Sequence, residues 1–156
     1  MFIAQIELAN EFNKPLMLHI RNDQKNEFIE GKEGTPNAYF DALEFLKEYS
    51  KVNGDVHFFA GTWEDAKAYL NFGFTLSFTG VITFTDDYNE IIRNTPLDMI
   101  MSETDSPYVA PIPYRGKRNE PSYVKEVVKK IAEIKNLPEK EVAEAIIVNA
   151  RRVFTF

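Results

Sequence analysis

Short apolar runs alternate with amphipathic stretches along this 156-residue chain. Four of the runs have the length of strands and are apolar over most of that length. They predict strands at residues 16–20, 55–59, 74–78 and 97–101. Between them, apolar residues recur at three- and four-residue spacing, which is typical of helices that bury one face. Strands of this kind, separated by amphipathic helices, predict an α/β fold with a parallel sheet and helices outside it.

Boundary signals support the helices in this pattern. Thr35 and Pro36 predict a helix start, with proline at the first helical position. Thr62 and Asp65 resemble a capping box in which Asp takes the place of Glu. Gly73 is well placed to end that helix in a left-handed conformation. We therefore expect one helix, four strand–helix units and one extra helix, forming a single domain over residues 1–156.

The composition is that of an ordinary soluble globular protein, with 44% hydrophobic and 27% charged residues. No apolar run approaches the ~20 residues of a membrane span, so no membrane partner is expected. The chain has no cysteine, which is compatible with the cytoplasmic location that we predict. Any metal must then be held by imidazole and carboxylate.

The net charge of −6 disfavours a general nucleic-acid coat. A nucleic-acid substrate would have to be held locally, by metal ions and a few arginines. Arg115, Lys117 and Arg118 form one such basic cluster. The simpler interpretation of this cluster is a solvated loop, which is the usual fate of short basic runs.

Four side chains that can bind metal stand at or near the carboxyl ends of predicted strands: His19, His57, Glu103 and Asp105. The carboxyl ends of parallel strands lie on one rim, so these side chains can converge. Imidazole and carboxylate together suit Zn²⁺, Mn²⁺ or Mg²⁺ in an open site. The simpler alternatives are that each histidine is a core residue and that the two carboxylates only end a strand before a proline-rich turn. Ser77, at the equivalent place on the third strand, is expected only to fill space.

Several motifs resemble, in order and at matching spacings, those of the TatD family of metal-dependent deoxyribonucleases. The motifs are PLMLHIR at 15–21, VHFFAGT at 56–62, GFTLSFTG at 73–80, SETDSPY at 102–108, RGKRNEP at 115–121 and NARRVF at 149–154. The resemblance covers essentially the whole chain, and the fourth and fifth motifs are its most specific parts.

This resemblance implies a TIM-type (β/α)₈ barrel of the amidohydrolase-like kind. It also implies two divalent metal ions (Mg²⁺, Mn²⁺ or Zn²⁺) and cleavage of phosphodiester bonds in DNA, at 3′ ends or in single strands. By resemblance, His19 and His57 would ligate one metal, and Asp105 would ligate the other or activate water. Glu103 would support the site as a hydrogen-bond acceptor. Asp105 and Glu103 are thus the predicted catalytic residues, beside the metal ligands His19, His57 and Asp105.

Three further residues in the motifs are predicted to bind substrate: Arg21, Arg115 and Asn119. The resemblance leaves two roles open for them, which are contact with phosphate and support of the loop that carries them.

The family pattern also includes a His-x-His pair on its first strand and a bridging glutamate on a middle strand, and this sequence has neither. A complete barrel needs roughly 250 residues. The resemblance therefore implies the carboxyl-terminal half, about four strands of eight. Two hypotheses follow: the chain is part of a nuclease that needs an amino-terminal half, or it is a catalytically inactive half-barrel that acts by self-association or binding.

The open edges of such a half-barrel also predict a homodimer. The first strand of each copy, at 16–20, would meet the last strand of the other, at 97–101. This expectation assumes a strongly apolar inner face that must be covered, with Leu16, Leu18, Phe58, Leu76 and Met101 as its candidate members.

Overall fold

The computed structural model describes residues 1–22 and 37–155, and helices alternate with parallel strands along them, which confirms the predicted α/β class. The elements are α1 (Phe2–Phe12), β1 (Leu16–His19), α2 (Ala38–Tyr49), β2 (Gly54–His57), α3 (Trp63–Phe72), β3 (Thr75–Phe78), α4 (Asn89–Asn94), β4 (Ile100–Ser102), α5 (Val124–Lys135) and α6 (Glu139–Phe154). Short 3₁₀ turns lie at Gly80–Thr83, Leu97–Met99 and Pro121–Tyr123. None of the described helices has both the length and the apolar character needed to cross a membrane.

The four described strands form one parallel sheet in the order β1-β2-β3-β4. Each strand pairs with the next one along the chain, as in a segment of a barrel. The register sets His19 beside His57 and Asp55 beside Thr75. Among the described residues, β1 and β4 each have a strand neighbour on one side only.

The two faces of this sheet differ in polarity, because successive residues of a strand point to opposite sides. One face belongs to the hydrophobic core that the helices share: Leu16, Leu18, Val56, Leu76, Phe78 and Ile100 are each at most 8% exposed. The other face, which we call the polar face, carries Met17, His19, Asp55, His57, Thr75 and Ser77.

The expectation of an apolar inner face is therefore wrong for Leu16, Leu18 and Leu76. These side chains are buried in the core on the helical side. Met17, which alternates with them, is 60% exposed instead. The physical reason is that successive side chains of a strand point to opposite faces, so residues two positions apart, such as Leu16 and Leu18, share one face.

Helix boundaries follow local hydrogen-bonding chemistry. The predicted capping box is present, because Thr62 Oγ1 accepts from the backbone N–H of Asp65 at 3.2 Å and Asp65 Oδ2 accepts from that of Thr62 at 2.9 Å. Gly73 ends α3 with φ 96°, as expected. The predicted start at Thr35 and Pro36 lies outside the described residues. Within them, Asn37 caps α2 and also donates to Asp65 Oδ1 at 2.9 Å, which joins the starts of two helices.

The fourth strand begins later than predicted, at Ile100 rather than at Leu97. A 3₁₀ turn occupies Leu97–Met99. Asn149 of α6 donates to the carbonyl oxygens of Leu97 at 2.9 Å and Ile100 at 2.8 Å. An apolar run alone cannot reveal such a contact, which comes from the far end of the chain.

The end of α4 is closed by one lysine of α5. Lys135 Nζ donates to the carbonyl oxygens of Ile92 at 2.9 Å, Arg93 at 3.1 Å and Thr95 at 2.7 Å. The last carbonyls of a helix have no partner within it, and a cation there also opposes the helix dipole. Partial burial lowers the pKa of the Lys135 ammonium. We infer that Lys135 fixes the position of α4 against α5.

Replacing Lys135 by Met keeps the apolar stem but removes the three donated hydrogen bonds. We expect the free energy of unfolding to fall by about 1–3 kcal/mol, because two partly buried carbonyls and one exposed carbonyl would lose their partner. Urea-induced unfolding measures this change. Lys130→Met is the matched control on the same helix. Its ammonium pairs with the exposed Glu133 at 2.9 Å, and we expect a change below about 0.5 kcal/mol. Equal losses in the two variants would contradict the role given to Lys135.

Candidate metal centre

His57, Glu103 and Asp105 form a compact group at the carboxyl ends of β2 and β4. One ligand atom from each lies within 4.8 Å of the others. His57 Nδ1 is 2.7 Å from Glu103 Oε2, and His57 Nε2 is 3.7 Å from Asp105 Oδ1. The two carboxylates therefore face opposite nitrogens of one imidazole. The parallel sheet has brought a side chain of residue 57 against side chains more than forty positions further along.

Glu103 is the best-satisfied polar group of this site. Oε1 accepts from the backbone N–H of Phe58 at 2.6 Å and lies 2.8 Å from the Ser77 hydroxyl oxygen. Oε2 lies 2.7 Å from His57 Nδ1. A carboxylate held by several donors is fixed in position. These contacts fix Glu103 beside His57. The supporting role that the resemblance implies for Glu103 stays a prediction.

The orientation of His57 follows from this support. With its proton on Nδ1, the imidazole presents an Nε2 lone pair toward Asp105. The 3.7 Å separation is too long for a hydrogen bond between Nε2 and Asp105 Oδ1. An imidazole nitrogen and a carboxylate oxygen thus face a common space without bonding each other. In metal sites, a histidine ligand commonly donates its other ring N–H to a carboxylate, which fixes its tautomer.

A second layer of polar groups lies beneath Glu103, and sequence reasoning missed it. Ser77 Oγ is 2.7 Å from Asp55 Oδ2 and 2.8 Å from Glu103 Oε1, while Thr75 donates to Asp55 Oδ1 at 2.7 Å. Ser77 does not merely fill space, as was expected, but bridges two carboxyl groups. The available signal was the two-residue spacing of Asp55 from His57 and of Thr75 from Ser77, which puts all four on one face.

The Asp55 carboxyl is 2% exposed. Burial raises its pKa to about 6, although hydrogen bonds from Thr75 and Ser77 oppose the shift. The hydroxyl proton of Ser77 can serve only one of its two carboxyl neighbours at a time. A protonated Asp55 would donate to Ser77 and leave that proton for Glu103. The hydroxyl and carboxyl groups of this layer can therefore all be hydrogen-bonded.

His19 lies next to this group but is not one of its three members. Its ring centroid is 5.4 Å from that of His57, as expected for residues paired in register on adjacent strands. His19 and Arg21 line an open groove of about 500 Å³ along β1. The structure thus brings His57, Glu103 and Asp105 together and sets His19 at their side. Their functional roles stay predictions.

The three predicted substrate-binding residues have different surroundings. The Arg21 guanidinium carbon is 5.3 Å from the centroid of the Phe58 ring, and that of Arg115 is 3.7 Å from the Phe84 centroid. Both arginines are exposed, and neither forms an ion pair with a carboxylate among the residues that the structure describes. Asn119 is buried, and its amide donates to two loop carbonyls. Of its two possible roles, support of the loop is the one that these contacts serve.

The donor set fits a divalent ion. Nε2 of His57 and the Asp105 carboxylate offer the nitrogen and oxygen ligands that Zn²⁺ and Mn²⁺ accept, with His19 as a further imidazole nearby. Two ions would need more ligands than these described side chains supply.

Two solved structures with a similar fold carry the TatD name. One is the TatD homologue YjjV of Escherichia coli K12, which matches with a TM-score of 0.78 and 22% sequence identity. The match covers 97% of this chain and 54% of that protein. Another is a TatD-family hydrolase of Entamoeba histolytica, with a TM-score of 0.75 and 21% identity over 94% of this chain and 53% of that one. These structures belong to barrel-type hydrolases of the TatD family, so the predicted barrel relationship of the fold is confirmed.

Curated relatives are more similar in sequence. YabD of Bacillus subtilis, named an uncharacterized metal-dependent hydrolase, is 38% identical over 98% of this chain and 56% of its own length. YcfH of Escherichia coli K12, named likewise, is 34% identical over 98% of this chain and 54% of its own length. The chain spans about half the length of these relatives. That this half is the carboxyl-terminal one stays a prediction.

The remaining comparison concerns the family as a whole. The family model described as TatD related DNase matches residues 1–155, which is almost the entire chain and includes every residue of the candidate centre. Together with relatives that share more than a third of their aligned residues, this match shows that the chain belongs to the family of TatD-related DNases.

Proposed function

We propose that this chain forms part of a metal-dependent hydrolase that cleaves phosphodiester bonds in DNA, with its centre at His57, Glu103, Asp105 and His19. The observation that carries the proposal is the surroundings of the His57 ring. Glu103 Oε2 lies 2.7 Å from Nδ1, and Asp105 Oδ1 lies 3.7 Å from Nε2. Nε2 and the Asp105 carboxylate could therefore hold a divalent ion together. Membership of the family supports the reaction class.

The residues of the chain would have different chemical roles at this centre. A divalent ion, when bound, supplies Lewis acidity that polarises a phosphoryl oxygen and makes water a better nucleophile. Glu103 holds the proton on His57 Nδ1 and so keeps Nε2 available as a ligand. Asp105 can ligate the ion or take a proton from the attacking water. His19 would complete the ligand set from the neighbouring strand.

DNA is the substrate that we propose, at 3′ ends or in single strands. The family supports this choice, and the exposed guanidinium groups of Arg21 and Arg115 could contact phosphate. Local contacts of this kind are needed because the net charge of −6 repels nucleic acid at a distance. We also propose that residues 1–156 act as one domain and that the protein works in the cytoplasm. The shared core of strands and helices supports the first statement, and the lack of cysteine is compatible with the second.

A second candidate function is that of a half-barrel without catalysis of its own that acts by self-association or binding. The described parts of β1 and β4 are paired on one side only, and β1 exposes Met17. Open strand edges of this kind attract another strand. The partner would be a second copy of this chain or the part of the hydrolase that the relatives possess and this chain does not span.

We predict that the purified chain alone binds Mn²⁺ weakly and hydrolyses single-stranded DNA slowly or not at all. Three side chains shared between two ions leave each ion short of ligands, and groups that act as a unit lose most of the rate when some are missing. Mn²⁺ titration and cleavage of an end-labelled oligonucleotide measure both properties. Robust hydrolysis by the chain alone that His57→Ala abolishes would contradict this prediction.

Fusion to the segment of YabD that this chain does not match should raise the rate of DNA cleavage, because it would supply the remaining ligands and strands. His57→Ala in the fusion should lower that rate at least a hundredfold, as expected for loss of a metal ligand. A folded fusion that binds two ions and leaves DNA intact would contradict the DNase proposal and favour the half-barrel with a binding role.

We predict a homodimer of the chain alone, formed through the open edges of β1 and β4. Light scattering at micromolar concentration should give twice the 18.0 kDa chain mass. Met17→Lys should shift the protein to monomer, since a charge on an edge strand opposes pairing. Leu8→Lys, a change at a 55% exposed position of α1, is the matched control and should stay dimeric. A cooperative 18 kDa monomer of the unaltered chain would contradict the dimer.

A further inference from the structure

We propose that Asn119 is a positioning residue, which holds Asp105 toward His57 by binding two carbonyls of the loop that carries Asp105. The inference rests on the proposed metal centre and extends it to a residue that touches neither metal nor substrate. Of the two roles that the sequence leaves open for Asn119, it takes support of the loop and names Asp105 as the residue that this support positions.

The loop after β4 has few means of holding itself. Between Asp105 and Asn119 it contains Pro107, Pro111 and Pro113, which lack the N–H that a loop could donate. Its carbonyl oxygens therefore need donors from side chains. Ordinary turns supply part of the need, such as the backbone bond from Tyr108 to the Asp105 carbonyl at 2.9 Å.

Asn119 supplies hydrogen-bond donors on both sides of Asp105. Its side-chain nitrogen lies 2.6 Å from the carbonyl oxygen of Thr104 and 2.6 Å from that of Tyr108. These carbonyls precede and follow Asp105, so a single amide clamps the turn around that residue. The backbone N–H of Asn119 also donates to Pro107 at 3.0 Å. With 2% exposure, the amide has no competition from bulk water.

The clamp matters because Asp105 is in an uncommon backbone conformation. Its φ is 53°, in the left-handed region that residues with a Cβ seldom adopt. A relaxed backbone would turn the carboxylate in another direction, away from the 3.7 Å approach to His57 Nε2. The neighbouring loop adds support, since Thr83 Oγ1 accepts from the N–H of Ile112 at 2.9 Å. The turn at Asp105 itself, however, depends on the amide of Asn119.

The chain contains a matched control for this role. Asn149 is also 2% exposed, and its amide also binds two carbonyls, those of Leu97 and Ile100. It acts at the amino end of β4, away from the candidate centre at the other end. Loss of either amide should weaken the fold. Only loss of the Asn119 amide should change the position of Asp105.

The experiment compares Asn119→Asp, Asn119→Ala and Asn149→Asp in the full chain, under conditions in which each variant is folded. Aspartate keeps the shape of asparagine but turns an oxygen instead of an N–H toward the two carbonyls. Each variant should unfold at a lower urea concentration than the unaltered chain. The Mn²⁺ dissociation constant, measured by electron paramagnetic resonance, should rise at least tenfold in both Asn119 variants. It should change less than twofold in Asn149→Asp.

A second measurement does not depend on metal. The nuclear Overhauser contact between the His57 ring and the Asp105 β-protons should be present in the unaltered chain and in Asn149→Asp, and absent from both Asn119 variants. Persistence of this contact in Asn119→Ala would overturn the positioning role. Equal loss of Mn²⁺ affinity in the Asn149 variant would overturn it as well. If His57→Ala binds Mn²⁺ as well as the unaltered chain, the proposed metal centre fails, and the proton contact still decides the role of Asn119.

Discussion

The Glu103 carboxylate is the constraint on which this site depends. It follows directly after β4. It accepts from the Phe58 backbone N–H at the end of β2 and from the Ser77 hydroxyl of β3, and it lies 2.7 Å from His57 Nδ1. Hydrogen bonds to an ionised acceptor are about twice as strong as neutral ones. Three strands are thereby tied together at the rim where the candidate ligands stand. The carboxylate that joins the strands also lies against the ring of His57, so the architecture of the sheet and the candidate site share one group.

The polar face explains how such a group can exist inside a small domain. Asp55, Thr75 and Ser77 are each at most 3% exposed, although every buried polar group must find a partner. Thr75 and Ser77 of β3 form hydrogen bonds with Asp55 of β2, and Ser77 also contacts Glu103. The apolar residues that alternate with them face the core on the helical side. One strand thus serves stability with one set of side chains and the site with the other, because its period is two residues.

Much of this could be predicted from the sequence because the signals are local. The α/β class followed from apolar runs between amphipathic helices, and the start and end of α3 followed from Thr62 and Gly73. The convergence of His57 with Glu103 and Asp105 followed from parallel topology alone. What could not be predicted depends on contacts between distant residues. Asn149 of α6 binds the backbone where β4 begins, and Ser77 contacts two carboxyl groups that lie on or after other strands. The contacts of Asn119 with its loop likewise form only in the folded chain.

Crystals of this chain soaked with Zn²⁺ test whether Glu103 orients His57 as a metal ligand, because anomalous scattering locates the bound ion. We expect a peak about 2.0–2.2 Å from His57 Nε2 and from an Asp105 oxygen, the usual Zn²⁺ ligand distances. Glu103 should remain within hydrogen-bond distance of Nδ1 of the same ring. A peak bound by Glu103 with His57 turned away, or no peak in this region at saturating Zn²⁺, would show that Glu103 does not orient His57 as a metal ligand.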